Sequence, residues 1–227
     1  MTELILIRHG ETDLNRGPYF QGQIDVALNA RGLEQARRLA QRLAGESIDV
    51  LVCSDLTRTR QTAAPSSAQL GLPPETLAEL REQHFGMFEG LSFPQVMERH
   101  PAQWQRWSRH DPEYALPGGE SVRQFHARVV AAIHALAARH VGRSVAVVTH
   151  GGVLDMVWRT AHALPLHGPR QCPIPNAGLN RLNVASTRIE VLEWADDAHV
   201  RDLSADAPPA PPLAGHVAAT DSSPSPR

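Results

Sequence analysis

Short, wholly apolar runs alternate along this chain with stretches whose hydrophobic residues recur at helical spacing. Leu4-Ile5-Leu6-Ile7 is the first such run, and Arg8, His9 and Gly10 close it. A run with no polar alternation marks a strand covered on both faces, as in a parallel sheet. From Asn29, a candidate N-cap, Leu33, Ala36, Leu39, Ala40 and Leu43 follow helical spacing until Gly45 stops them. Ile48 to Cys53 is the next apolar run. Strand, helix, strand in that order predicts a right-handed βαβ unit, so the class is α/β.

The same logic carries through the rest. Arg58 to Leu70 reads as a helix that Pro65 should kink or restart. Leu77 to Leu80 reads as a short strand and Phe85 to Gly90 as a loop. Ser92 with Pro94 starts a short helix, and Trp104 and Trp107 sit one turn apart on another, as flank or lid elements. After Gly118-Gly119, Ser121 caps a stripe of Val122, Phe125, Val129, Ile133 and Leu136 that ends near His140. Ser144 to Thr149 repeats the buried-strand pattern, and Gly151-Gly152 opens a helix through Met156 and Trp158. Leu179 to Val184 and Ile189 to Trp194 alternate, which predicts an antiparallel hairpin at a sheet edge. Residues 1–203 then form one domain, and the Pro/Ala/Ser-rich tail of residues 204–227 is expected to be disordered.

Composition narrows the function classes. With 227 residues, 42% hydrophobic, 20% charged and a net charge of −2, the chain is an ordinary globular one, and binding to nucleic acid through bulk positive charge is disfavoured. No run approaches the roughly 18 apolar residues of a membrane span. Glu3 stands where a secretory leader would carry basic residues, so export is not expected. Cys53 and Cys172, the only cysteines, build neither a disulfide framework nor a four-cysteine zinc site. A cytoplasmic protein fits.

Two buried strands end alike, in Ile7-Arg8-His9-Gly10 and Val148-Thr149-His150-Gly151. Ligands of open α/β sheets bind at the carboxyl ends of strands, so both histidines should face one crevice. Arg8 adds a bidentate cation, and Gly10 would let backbone approach an anion. Arg58 opens the helix after the second strand, where the helix dipole also favours an anion, with Arg60 as its rival. Asn15 supplies a neutral donor. Such a pocket suits a phosphate dianion, and Glu82 is the candidate acid for the leaving group, ahead of Glu89 and Glu79. Gln21-Gly22 either lines the mouth or forms a plain turn. The other histidines are read as surface or satisfied core residues, Cys53 as a small hydrophobe, and the tryptophans as packing and lid residues.

Arg8-His9-Gly10-Glu11-Thr12 with Asn15, Ser54-Asp55-Leu56 with Arg58 and Gln61-Thr62-Ala63, Glu82 with Phe85-Gly86 and Glu89-Gly90, Pro117-Gly118-Gly119-Glu120-Ser121, and His150-Gly151 together resemble the histidine phosphatase superfamily, in its phosphoglycerate-mutase-like branch. The resemblance spans about residues 3–195 and implies a three-layer α/β/α sandwich around a mostly parallel sheet with an antiparallel edge strand. It implies that His9 is the nucleophile forming a phosphohistidine, and that Arg8, Arg58 and His150 hold the non-bridging oxygens. Glu82 would be the proton donor, with Asn15 and the Gly10 and Gly151 backbone completing the phosphate site. No metal and no cofactor are expected. A small phosphorylated metabolite is the expected partner, with no nucleic acid or membrane, and a homodimer is compatible.

Mutases of this family carry a longer basic insertion before the Gly-Gly-Glu motif. Here the segment Phe88 to Leu116 is short, with Arg99, Arg106 and Arg109 as its fixed cations, which favours hydrolysis over phosphoglycerate mutation. A non-catalytic phospho-ligand module is the remaining alternative, and intact His9, Glu82 and His150 speak against it. Departures from the family, Leu14 for an aromatic residue and Pro65 within a helix, bear on the substrate rim. Activity is expected to peak at mildly acidic to neutral pH.

Overall fold

Period-two alternation along the central strands decides which helices cover which face of the sheet. The computed structural model describes residues 1–186 and 188–204. β1 (Thr2–Arg8), β2 (Val50–Cys53), β3 (Glu75–Thr76), β4 (Ser144–Thr149), β5 (Leu179–Val184) and β6 (Ile189–Asp196) form one sheet in the order β3-β2-β4-β1-β5-β6. β1 to β4 are mutually parallel, and β5 and β6 add an antiparallel hairpin beside β1. The predicted edge hairpin is present, and β5 is its strand that runs against the parallel set.

Successive strand residues point to opposite faces. Leu4, Leu6, Val145 and Val147 pack with α5 (Val122–Arg139) and α6 (Gly151–Ala161), while Ile5, Ile7, Ala146 and Val148 pack with α1 (Ala30–Leu43) and α2 (Thr57–Leu70). The result is three layers. Each fully buried Leu or Ile here contributes roughly 1.5–3 kcal/mol of transfer free energy. Local signals agree with the packing: the Asn29 side chain caps α1 by accepting from the Gly32 N–H at 2.9 Å, and Ser121 opens α5 with a capping box.

Some expectations change. Glu75–Thr76 forms the short edge strand, and Ala78–Leu80 is a 3-10 turn that buries Leu80, not a strand at 77–80. α2 runs through Pro65 without restarting, because the tertiary packing of its buried face outweighs the lost backbone bond. Leu33, in the first turn of α1, is half exposed while the rest of its stripe is covered. The predicted tail lies outside the described residues from 205 onward, and Ser204 closes a short 3-10 turn that begins at Arg201.

A satellite cluster stands apart from the sheet. α3 (Phe93–Arg99) and α4 (Pro101–Trp107) gather Phe20, Phe88, Val96 and Leu116 with Phe85, Phe93, Trp104, Trp107 and Tyr114 around them. This flank borders the carboxyl ends of β1 and β4.

Candidate active site

The strand order places the two histidines side by side. β1 and β4 are neighbours with Arg8 opposite Thr149, and the His9 N–H continues the ladder to the Thr149 carbonyl at 2.9 Å. The His9 and His150 rings consequently meet edge to face, with centroids 5.3 Å apart. Both side chains are buried, and His9 lines a cavity of about 290 Å³.

His9 Nδ1 lies 2.7 Å from the Gly10 carbonyl oxygen. A carbonyl only accepts, so Nδ1 carries the proton and Nε2 keeps its lone pair. Burial holds His9 well below its usual 6.5, and the Arg58 and Arg8 cations push it further down against the opposing Gly10 bond. His150 is lowered for the same first reason, then by Arg58. Its Nε2 is within 2.9 Å of Ser54 Oγ, while Nδ1 is buried with no partner among the described residues. Two neutral imidazoles occupy the strand ends, and that of His9 keeps its lone pair on Nε2.

The arginines are pinned by carbonyls rather than carboxylates. Arg58 is wholly buried and donates to the Ile24 and Gly22 carbonyls at 2.8 and 2.7 Å. Arg8 donates to the Ile174 carbonyl at 2.7 Å. Their Nε atoms are buried without a partner among the described residues. Burial lowers both guanidiniums to about 10, so each stays charged at neutral pH. A buried cation that no carboxylate among the described residues pairs directly favours an anionic guest.

Glu82 lines the same cavity and is held at the N-terminus of α6: one carboxylate oxygen accepts the Gly152 N–H at 2.9 Å, the other the Gln83 N–H at 2.9 Å. Gly152 is the residue that admits it, since a Cβ there would stand 2.0 Å from Glu82 Oε1. Arg128 of α5 steadies the turn by donating to the Glu79, Arg81 and Glu82 carbonyls, and it pairs with Glu120. Glu89, the rival carboxylate, spends one oxygen on the Gln23 and Phe85 N–H groups and does not border the cavity. Arg60 is exposed.

Asn15, Gln21, Gly22 and Gly151 all line the cavity. Asn15 Nδ2 donates to Gln21 Oε1 at 3.1 Å. Gly10 differs from expectation: its N–H is taken by Thr62 Oγ1 at 2.9 Å, and a Cβ on it would meet the Gly32 carbonyl oxygen at 2.6 Å. Its glycine character serves the contact between the β1 loop and α1 instead of opening a path to an anion.

Sequence reasoning missed several wall residues. Arg170, Asp155, Gly152 and Tyr114 border the cavity, and Asn176 Nδ2 donates to the His9 carbonyl at 2.9 Å. Arg170 follows a loop with no motif to mark it. Gly152 could have been read from the doubled glycine after His150.

The sequence model of the histidine phosphatase superfamily (branch 1) matches residues 4–197. The chain belongs to that superfamily. A metal-independent phosphoserine phosphatase of Arabidopsis thaliana is 33% identical over 207 residues, covering 89% of this chain and 85% of the relative. Phosphoglycerate mutase-like protein 4 of the same plant is 36% identical over 162 residues, 70% of each chain. Among solved structures, a mycobacterial glucosyl-3-phosphoglycerate phosphatase complexed with VO3 superposes with a TM-score of 0.76 at 31% identity, covering 86% of this chain and 99% of the other.

Proposed function

We propose that this protein is a phosphatase that hydrolyses small phosphomonoesters through a phosphohistidine on His9. The observation that carries the reading is the free-base Nε2 of His9, fixed by the Nδ1 bond to Gly10 and flanked by His150 and two buried, carbonyl-pinned arginines. Nε2 attacks phosphorus as the ester oxygen leaves, and Glu82 passes its proton to that oxygen. Arg8, Arg58 and His150 stabilise charge on the non-bridging oxygens, the term that dominates phosphoryl transfer. Glu82, now a carboxylate, takes a proton from the water that cleaves the N–P bond and releases phosphate. His9 and Glu82 return to their starting forms.

The relatives' names include phosphatases and a mutase-like protein. Hydrolysis is favoured by the short flank that borders the site: its helices α3 and α4 are seven residues each and pack on aromatic groups. Two free, buried cysteines accord with a cytoplasmic setting, where burial pushes Cys53 up to about 11 and keeps it protonated. Among the described residues no helix is long and apolar enough to cross a membrane. The test is to incubate the protein with an aryl phosphate and, separately, with 3-phosphoglycerate primed by 2,3-bisphosphoglycerate. Release of inorganic phosphate from the aryl ester is expected; fast isomerisation with little free phosphate would replace hydrolysis by mutation.

A further inference from the structure

Four arginines and four carboxylates line the cavity; Arg159 is spent on Asp155, Arg8 and Arg58 stand at the strand ends, and Arg170 remains. A Cβ built on Gly151 would stand 3.4 Å from Arg8 Nε and 3.5 Å from a terminal nitrogen of Arg170, so the two guanidiniums share the space above the N-terminus of α6. Arg170 belongs to the cavity wall with Asp155, Gly168 and Pro169, on the loop that follows α6, whereas His9 and His150 stand at the strand ends.

The carboxylate beside it is already engaged. Asp155 Oδ2 accepts from Arg159 Nε at 3.0 Å, and Asp155 Oδ1 is 4.0 Å from Arg170 Nε, too far for a hydrogen bond. Both of those last two atoms are buried without a partner among the described residues. Arg159 also donates to the carbonyls of Pro165, His167, Gly168 and Pro169. It thereby folds the 165–169 loop onto α6 and delivers Arg170 to the cavity wall. Neither terminal nitrogen of Arg170 donates to a protein acceptor among the described residues, which leaves a planar fork open toward the cavity.

We infer that Arg170 is a specificity residue that grips a carboxylate on the leaving portion of the substrate, so that the site selects phosphate esters of hydroxy acids over those of neutral alcohols or amines. One guanidinium fork matches one carboxylate bidentately. Arg8 and Arg58 already answer the phosphoryl dianion, and no further cation is needed for the chemistry. The inference rests on the phosphatase reading and adds the class of leaving group.

Phosphoserine and phosphoethanolamine differ by a carboxylate alone. The wild type is expected to favour phosphoserine in kcat/KM, and Arg170→Gln to lower that value by ~10- to 100-fold while phosphoethanolamine and an aryl phosphate change less than about threefold. Arg170→Lys should recover part of the loss. Retained aryl phosphatase activity shows that the variant is folded. An equal fall on all three esters would assign Arg170 to the transferred phosphoryl group and overturn the inference, as would no change on any. Hydrolysis of the aryl ester with no preference for phosphoserine sinks the inference and leaves the phosphatase reading standing. Should no ester release phosphate, that reading fails instead, and calorimetric binding of the two compounds to His9→Ala, with and without Arg170→Gln, still decides the role of Arg170: equal affinities would refute it.

Discussion

The base of the cavity and its aromatic rim are built by different means. His9 and His150 stand one residue beyond paired strands, where the register of β1 against β4 fixes their separation, and Arg58 lies in the first turn of α2. The rim residues Phe20, Phe85, Phe93 and Trp107 come from loops and short helices and pack on one another, with Phe20 5.0 Å from Trp107 and 4.8 Å from Phe93 between ring centroids. One set inherits the rigidity of the sheet. The other depends on its own mutual contacts, so substitutions there should move recognition before chemistry.

The largest effect should follow loss of the base. His9→Ala is expected to lower turnover by roughly 10⁴-fold or more, because the nitrogen that attacks phosphorus is lost, while inorganic phosphate still binds through the arginines. His150→Ala should cost less, about 10²- to 10³-fold, the scale of removing one donor to transition-state charge. Wild-type protein denatured in alkali, which preserves the acid-labile N–P bond, and examined for phosphohistidine at His9 gives the direct check. Undiminished turnover in His9→Ala would remove the distinction between base and rim.

The base was also the more legible region. Strand ends announce themselves through apolar runs that stop at Arg8-His9 and Thr149-His150, and the parallel-sheet rule sends both ends to the same side. Arg58 is separable from Arg60 in the sequence only by motif, and Glu82 from Glu89 only by rank; in the fold Arg58 is buried while Arg60 is exposed, and Glu82 lines the cavity while Glu89 does not. The rim could not be read because its residues meet through tertiary packing that follows no period. Arg170 was hidden for the same reason: a salt-bridged Arg159 and a string of carbonyls bring it in, and none of these carries a spacing signal. Gly10 shows the converse error, where a residue type fitted an anion site but serves a backbone contact with Gly32.

A second, smaller effect concerns acid. In the unfolded chain, imidazoles take up protons as pH falls through about 6.5, whereas buried His9 and His150 resist until well below it. The unfolded state then binds more protons, so stability is intact above about pH 6.5 and declines below it, by up to about 1.4 kcal/mol per pH unit for each histidine. Urea midpoints of the wild type should fall more steeply between about pH 7 and 5 than those of His9→Ala. The same depression keeps His9 a nucleophile in mildly acidic solution. Ring resonances of both histidines should stay flat across about pH 5 to 8. A midpoint near 6.5 for either would mean that water reaches the base as freely as the rim.

The smallest effect should come from the rim itself. Trp107 is half-buried, packs near Phe20, Phe88 and Trp104, and borders the cavity. Trp107→Ala removes packing on which the satellite cluster depends, so stability should drop by about 2 kcal/mol, read as a lower urea midpoint with unchanged slope. KM should rise by roughly threefold to tenfold and kcat stay within about twofold, since substrate contacts outside the reacting centre bind ground and transition states alike. A fall in kcat comparable to that of His150→Ala would instead tie the aromatic flank to the chemical step, and base and rim would have to be treated as one unit.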